Sequence, residues 1–140
     1  MKNNGKLSLL IQVLIATVLL NNCQHEKELQ TGEGFINVDG GKVWYHVVGG
    51  GNKTPILVLH GGPGVPSYYL KPLSALGVGR KVIFYDQLGC GKSDRSTDTT
   101  KMTVDHFVEE LKTVVHHFGL KEFYLYGQSW GTMLGTDYYL

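Results

Sequence analysis

Charge in excess is the first thing this sequence lacks. Thirteen basic residues face twelve acidic ones, for a net charge of +1 over 140 residues, and no run of like charge or internal repeat occurs. That balance suggests no nucleic acid or other polyanion as a partner. There are only two cysteines, Cys23 and Cys90, which imply no disulfide framework. Prolines number four against nineteen glycines, so the glycines mark tight turns in a globular domain rather than low-complexity sequence. No cysteine or carboxylate cluster accompanies His116-His117, so the pair does not suggest a metal site. Gly89-Cys90-Gly91-Lys92-Ser93 fails as a phosphate loop, because the earlier glycine such a loop requires is replaced by Asp86. No cofactor is called for. What is present, 42% hydrophobic residues, is ample for one core.

The amino terminus differs from the rest. Lys2 and Lys6 precede an apolar run over 7–20, interrupted by Ser8, Gln12 and Thr17. A charged segment before an apolar run shorter than the ~20 residues of a spanning helix has the form of an export signal. Cys23 stands just past it, where bacterial lipoproteins carry their lipidated cysteine. Leu20 suits that pattern, while Asn21 and Asn22 occupy places usually held by small residues. An uncleaved anchor is the alternative. The expected organisation is a signal peptide over 1–22, a polar tether over 23–34 and a domain over 35–140.

Within the domain, residues 35–38 and 43–48 flank Asp39-Gly40-Gly41 and predict a β-hairpin. Residues 55–59 and 81–85 are continuously apolar, as strands covered on both faces are. Residues 68–76 are weakly helical because of Pro72. Thr103 caps the clearest helix, with Val104, Phe107, Val108, Leu111, Val114, Val115 and Phe118 on one face and Gly119 as its stop. Another apolar run, 123–126, follows at once. Strands alternating with helices predict an α/β fold with a parallel sheet, whose ligand chemistry collects at the carboxyl ends of its strands. His60, Asp86 and Ser129 all fall there.

Gly127-Gln128-Ser129-Trp130-Gly131 lies between that last strand and a segment able to open a helix. This is the setting of a nucleophile elbow, a turn so sharp that the residues two positions to either side of the serine, Gly127 and Gly131, must lack side chains. Ser129 is the candidate nucleophile, and the Trp130 N–H beside it can face a developing oxyanion. Upstream, His60-Gly61-Gly62-Pro63-Gly64 ends a buried strand abruptly, and the Gly62 N–H can be the second oxyanion donor. A cis bond before Pro63 fits such a loop. Asp86 is expected to tie down neighbouring amides. Lys92 and Arg95 read as a solvated rim, and Tyr68 and Tyr69 as packing.

His60 through Gly64, then Tyr85-Asp86-Gln87-Leu88-Gly89-Cys90-Gly91 with Ser93, then Gly127 through Gly131, occur in one order at one spacing. In this the chain resembles the amino-terminal part of the proline iminopeptidase family, from about residue 35 to the last. The resemblance implies an α/β-hydrolase fold, a hairpin plus parallel strands with crossover helices, truncated after the elbow. It also implies that Ser129 attacks the carbonyl of an N-terminal residue, often proline, while Gly62 and Trp130 supply oxyanion N–H groups. In that fold the triad acid and histidine follow the serine, so neither Asp86 nor His60 is the expected partner. Two positions depart from the family's common pattern: Gln128 replaces a glycine, and Leu88 stands where many members have arginine.

The expected function is an exported serine aminopeptidase acting on short peptides, held at the membrane if Cys23 is lipidated. The same fold also serves esterases, lactonases and other amidases, and a non-catalytic lipoprotein fragment is the reading from another class. A hydrolase of this type needs roughly 200–250 residues or more, so the triad acid, the base and any cap are expected after Leu140.

Overall fold

The computed structural model describes residues 29–95 and 98–140. Five strands form one sheet in the order β1-β2-β4-β3-β5. The hairpin is β1 (Gly32–Val38) and β2 (Gly41–Gly49), paired antiparallel. Strand β2 also runs antiparallel to β4 (Arg80–Tyr85), while β3 (Lys53–Leu59) pairs in parallel with both β4 and β5 (Tyr124–Gly127). The sheet is therefore mixed, parallel only in the half that carries the candidate site.

Strand β1 begins three residues before Phe35, inside the polar stretch expected to be tether. Gly32, Glu33 and Gly34 pair with Val47, His46 and Tyr45. The backbone supplies that pairing, which a hydrophobicity pattern does not register. Glycine at 34 also makes room for the neighbouring ring, because a Cβ there would lie 2.6 Å from the Tyr45 hydroxyl.

The continuous apolar runs in β3 and β4 have the expected cause. Leu57, Leu59, Ile83 and Tyr85 face helix α1 (Val104–His117) and Leu134 of helix α2 (Trp130–Tyr139). Ile56, Val58, Val82 and Phe84 face the other way, against Leu70. Each such side chain contributes about 1.5–3 kcal/mol by leaving water. Leu70 belongs to Ser67–Gly77, which winds as 3₁₀ turns with Pro72 inside it. A succession of short 3₁₀ turns tolerates the missing proline N–H that an α-helical interior would not.

Helix α1 starts and stops where its sequence says. The Thr103 hydroxyl accepts from the His106 N–H at 3.2 Å, and Gly119, at φ 62°, lets Leu120 N–H reach back to the Val115 carbonyl at 3.1 Å. The buried face holds Phe107, Leu111, Val114 and Val115, together with one carboxylate, Glu110. At the far side of the sheet, β5 bonds β3 along one edge, and its Tyr124 and Tyr126 are exposed. Among the described residues no helix is long and apolar enough to cross a membrane. The signal segment and Cys23 lie outside the described residues.

Candidate active site

The parallel register Leu59↔Gly127 makes β3 and β5 end side by side, so the loops that leave them meet. The Gln128 N–H donates to the Leu59 carbonyl at 3.1 Å and continues the pairing one residue past the strand. The chain then reverses at Ser129, whose φ of 52° and ψ of −117° make it the only described non-glycine residue with positive φ. Such a conformation costs on the order of 1–3 kcal/mol and persists only where its surroundings impose it. They do so here by proximity. A Cβ on Gly127 would lie 2.6 Å from the Gly131 carbonyl carbon, and one on Gly131 would lie 2.8 Å from that of Leu59. Both neighbours are backbone, so neither can step aside. The Ser129 side chain is left exposed at the head of α2, where the helix dipole favours negative charge.

Two amides near that serine are unspent among the described residues. The Gly131 and Thr132 N–H groups bond the Gln128 and Ser129 carbonyls, both at 2.9 Å. Trp130 opens the helix, so its N–H has no intrahelical acceptor. Its indole is anchored separately, donating to Gln87 Oε1 at 2.8 Å and standing edge-on to Phe107. The second amide is that of Gly62, which has φ 118° and precedes a cis Gly62–Pro63 bond. Its direction is set by His60. Nδ1–H of that buried imidazole donates to the Gly61 carbonyl at 2.8 Å. Because the Gly61 C=O and Gly62 N–H share one planar trans peptide, pinning the carbonyl toward His60 turns the N–H away from it.

His60 is thereby excluded as a base for Ser129. Its Nε2 accepts from the Gln87 N–H at 2.9 Å, which leaves the proton on Nδ1. Burial lowers its pKa and keeps the ring neutral, outweighing the Gly61 carbonyl and the Asp86 charge. Cys90 is no rival nucleophile, since burial pushes its thiol up to about 12. Asp86 is a brace, as expected. Its Oδ1 accepts from both the amide and the hydroxyl of Ser67 at 2.7 Å, and its Oδ2 accepts from the Lys92 N–H at 2.9 Å. Among the described residues, no histidine or carboxylate hydrogen-bonds the Ser129 hydroxyl.

This geometry has known counterparts. Residues 54–140 match the family described as the alpha/beta hydrolase fold. The chain belongs to that family. A proline iminopeptidase of Heyndrickxia coagulans is 52% identical over 109 residues, which are 77% of this chain and 38% of that protein. One from Clostridioides difficile is 41% identical over 109 residues, 76% of this chain and 37% of its own length. The crystal structure of the Mycobacterium smegmatis proline iminopeptidase superposes with a TM-score of 0.72 at 33% identity, over 76% of this chain and 38% of that one. The chain thus spans about two fifths of the length of the curated relatives it matches.

Seen as a hydrolase fold, the site holds three of the sequence candidates at one end of the parallel strands: Ser129, Trp130 and Gly62. Sequence reasoning missed a second set around them. Gln87 joins His60 to Trp130. Tyr69, expected as packing, accepts from the Gly61 N–H and donates to Gln128 Oε1, both at 2.7 Å. Tyr69 also packs against the Leu70 cluster, as expected, whereas its neighbour Tyr68 is 73% exposed and stands edge-on to its ring. Lys92 and Arg95 lie on the exposed rim, as expected, each with a local partner. Lys92 pairs with Glu33 at 2.9 Å over the face of Trp44, and Arg95 donates to the Gly89 carbonyl. No periodicity marks these residues; only their position beside the glycine loops could have singled them out.

Proposed function

We propose that this chain is the nucleophile-bearing part of an exported serine hydrolase that releases an N-terminal residue, proline or similar, from short peptides. The observation that carries the reading is the strained Ser129 backbone, wedged between two glycines with no room for a Cβ and set beside the Gly61-Gly62 loop. The relatives at 52% and 41% identity, which bear the name proline iminopeptidase, supply the substrate class. In this reading Ser129 Oγ attacks the carbonyl carbon of the first residue. The negative charge that develops on the carbonyl oxygen is met by the Gly62 and Trp130 N–H groups. As the adduct collapses, the C–N bond breaks and the base returns the serine's proton to the departing amine; water then hydrolyses the acyl-serine ester, freeing the acid and restoring the Ser129 hydroxyl. The base that takes the hydroxyl proton, and the acid that orients it, come after the serine in the chain order of this fold.

Export and lipid anchoring through Cys23 belong to the same proposal. They are supported by Lys2, Lys6 and the apolar run that follows. The test of the catalytic reading is Ser129→Ala in the full-length protein. Turnover of an N-terminal prolyl anilide is expected to vanish while folding, read by circular dichroism, is unchanged. Substantial residual turnover defeats it.

A further inference from the structure

Two adjacent glycines in the loop after β3 are glycine for different reasons. Gly62 needs its positive φ, whereas Gly61 is not among the positive-φ residues. A side chain at 61 would instead have to displace two others: a Cβ would lie 2.5 Å from Gln128 Oε1 and 3.1 Å from the Tyr69 hydroxyl. These two atoms are bonded to each other, and the same hydroxyl accepts the Gly61 N–H. A tyrosine hydroxyl has one proton, so accepting from Gly61 leaves that proton for Gln128. The result is a continuous chain of bonds from the loop, through Tyr69, to the residue immediately before Ser129.

We propose that Tyr69 and Gln128 are positioning residues that lock the oxyanion loop to the nucleophile elbow. Gly61 is held at both polar groups, its N–H by Tyr69 and its C=O by His60. The His60 bond sets the direction of the Gly62 N–H. Tyr69 sets the distance of that peptide from the elbow, because its other bond ends on Gln128. Without Tyr69 the loop is still aimed, but it is free to swing away from Ser129. The Gly61 N–H, being spent, is withdrawn from oxyanion binding, which leaves Gly62 as the loop's donor. The inference rests on the proposed role of Ser129 for its catalytic consequence, though the lock itself does not.

Tyr69→Phe in the full-length protein keeps the ring and deletes only the hydroxyl. Slackening the donor's placement is expected to lower kcat for a prolyl anilide about 10- to 100-fold with KM changed less than about 2-fold. Amide exchange at Gly61, which reports the lock without any turnover, is expected to quicken about 10-fold or more. Gln128→Ala breaks the far end of the same chain. The double variant is therefore expected to be no worse than the worse single one, since both changes remove one linkage. Unchanged kcat and unchanged Gly61 exchange in Tyr69→Phe would overturn the proposal, as would strictly multiplicative losses in the double variant. Turnover surviving Ser129→Ala strikes only the hydrolase reading. Exchange at Gly61 then decides the lock alone, faster exchange in Tyr69→Phe sustaining it and equal exchange ending it.

Discussion

Glu110 offers a test in which charge and folding are directly coupled. It sits on the buried face of α1 at 3% exposure, where its Oε2 accepts from the Leu88 N–H at 3.0 Å. Its Oε1 has no partner among the described residues, and Leu88 brings an apolar side chain rather than a cation. Burial raises the carboxyl from an ordinary 4.5 to about 8, with the Leu88 amide pulling the other way but less strongly. Between those values the folded chain keeps a proton that the unfolded chain has released. Stability is then complete below pH 4.5, falls as pH rises through the interval, and is fully reduced above about 8. At about 1.4 kcal/mol per pH unit the interval is worth about 5 kcal/mol, a large share of the 5–15 kcal/mol typical of a domain. Glu110→Gln retains an oxygen for Leu88 and cannot ionise. Urea midpoints of wild type and variant should be compared from pH 5 to 9. The wild-type midpoint is expected to fall relative to that of the variant up to about pH 8, so that glutamine gains on glutamate as pH rises. Parallel curves would refute the assignment of the slope to this carboxyl.

Three further outcomes are expected. Gly131→Ala drives a Cβ against the Leu59 and His60 carbonyl groups, so it should cost about 1–3 kcal/mol in thermal unfolding and abolish anilide turnover. Cys23→Ser should shift the protein from the membrane fraction to a soluble or signal-retaining form. An unchanged fraction, with no acyl label on the wild type, removes the lipid anchor. The purified segment 29–140 should self-associate and show no turnover, because β5 presents an unpaired edge with Tyr124 and Tyr126 exposed and Ser129 has no base among the described residues. Sedimentation as a monomer with protected amides in Tyr124–Gly127 would contradict this.

Much of the fold was legible in the residue pattern, because burial leaves a periodic trace. The apolar runs of β3 and β4 reflect a sheet covered on both faces, and α1 carries its own cap, stripe and stop. The elbow was legible for a related reason: a turn without room for a Cβ leaves glycines at fixed spacing around its serine. Hydrogen-bond partners leave no such trace. Tyr69 and Gln128 are 59 positions apart, and only the register that sets Leu59 beside Gly127 brings their loops together. Gln87 acquires its place between His60 and Trp130 in the same way, and Glu110 its buried carboxyl without a cation. In the sequence Gly61 and Gly62 are two identical letters. Only the packed chain separates them, because one is held by its own backbone angle and the other is crowded by side chains from two distant segments.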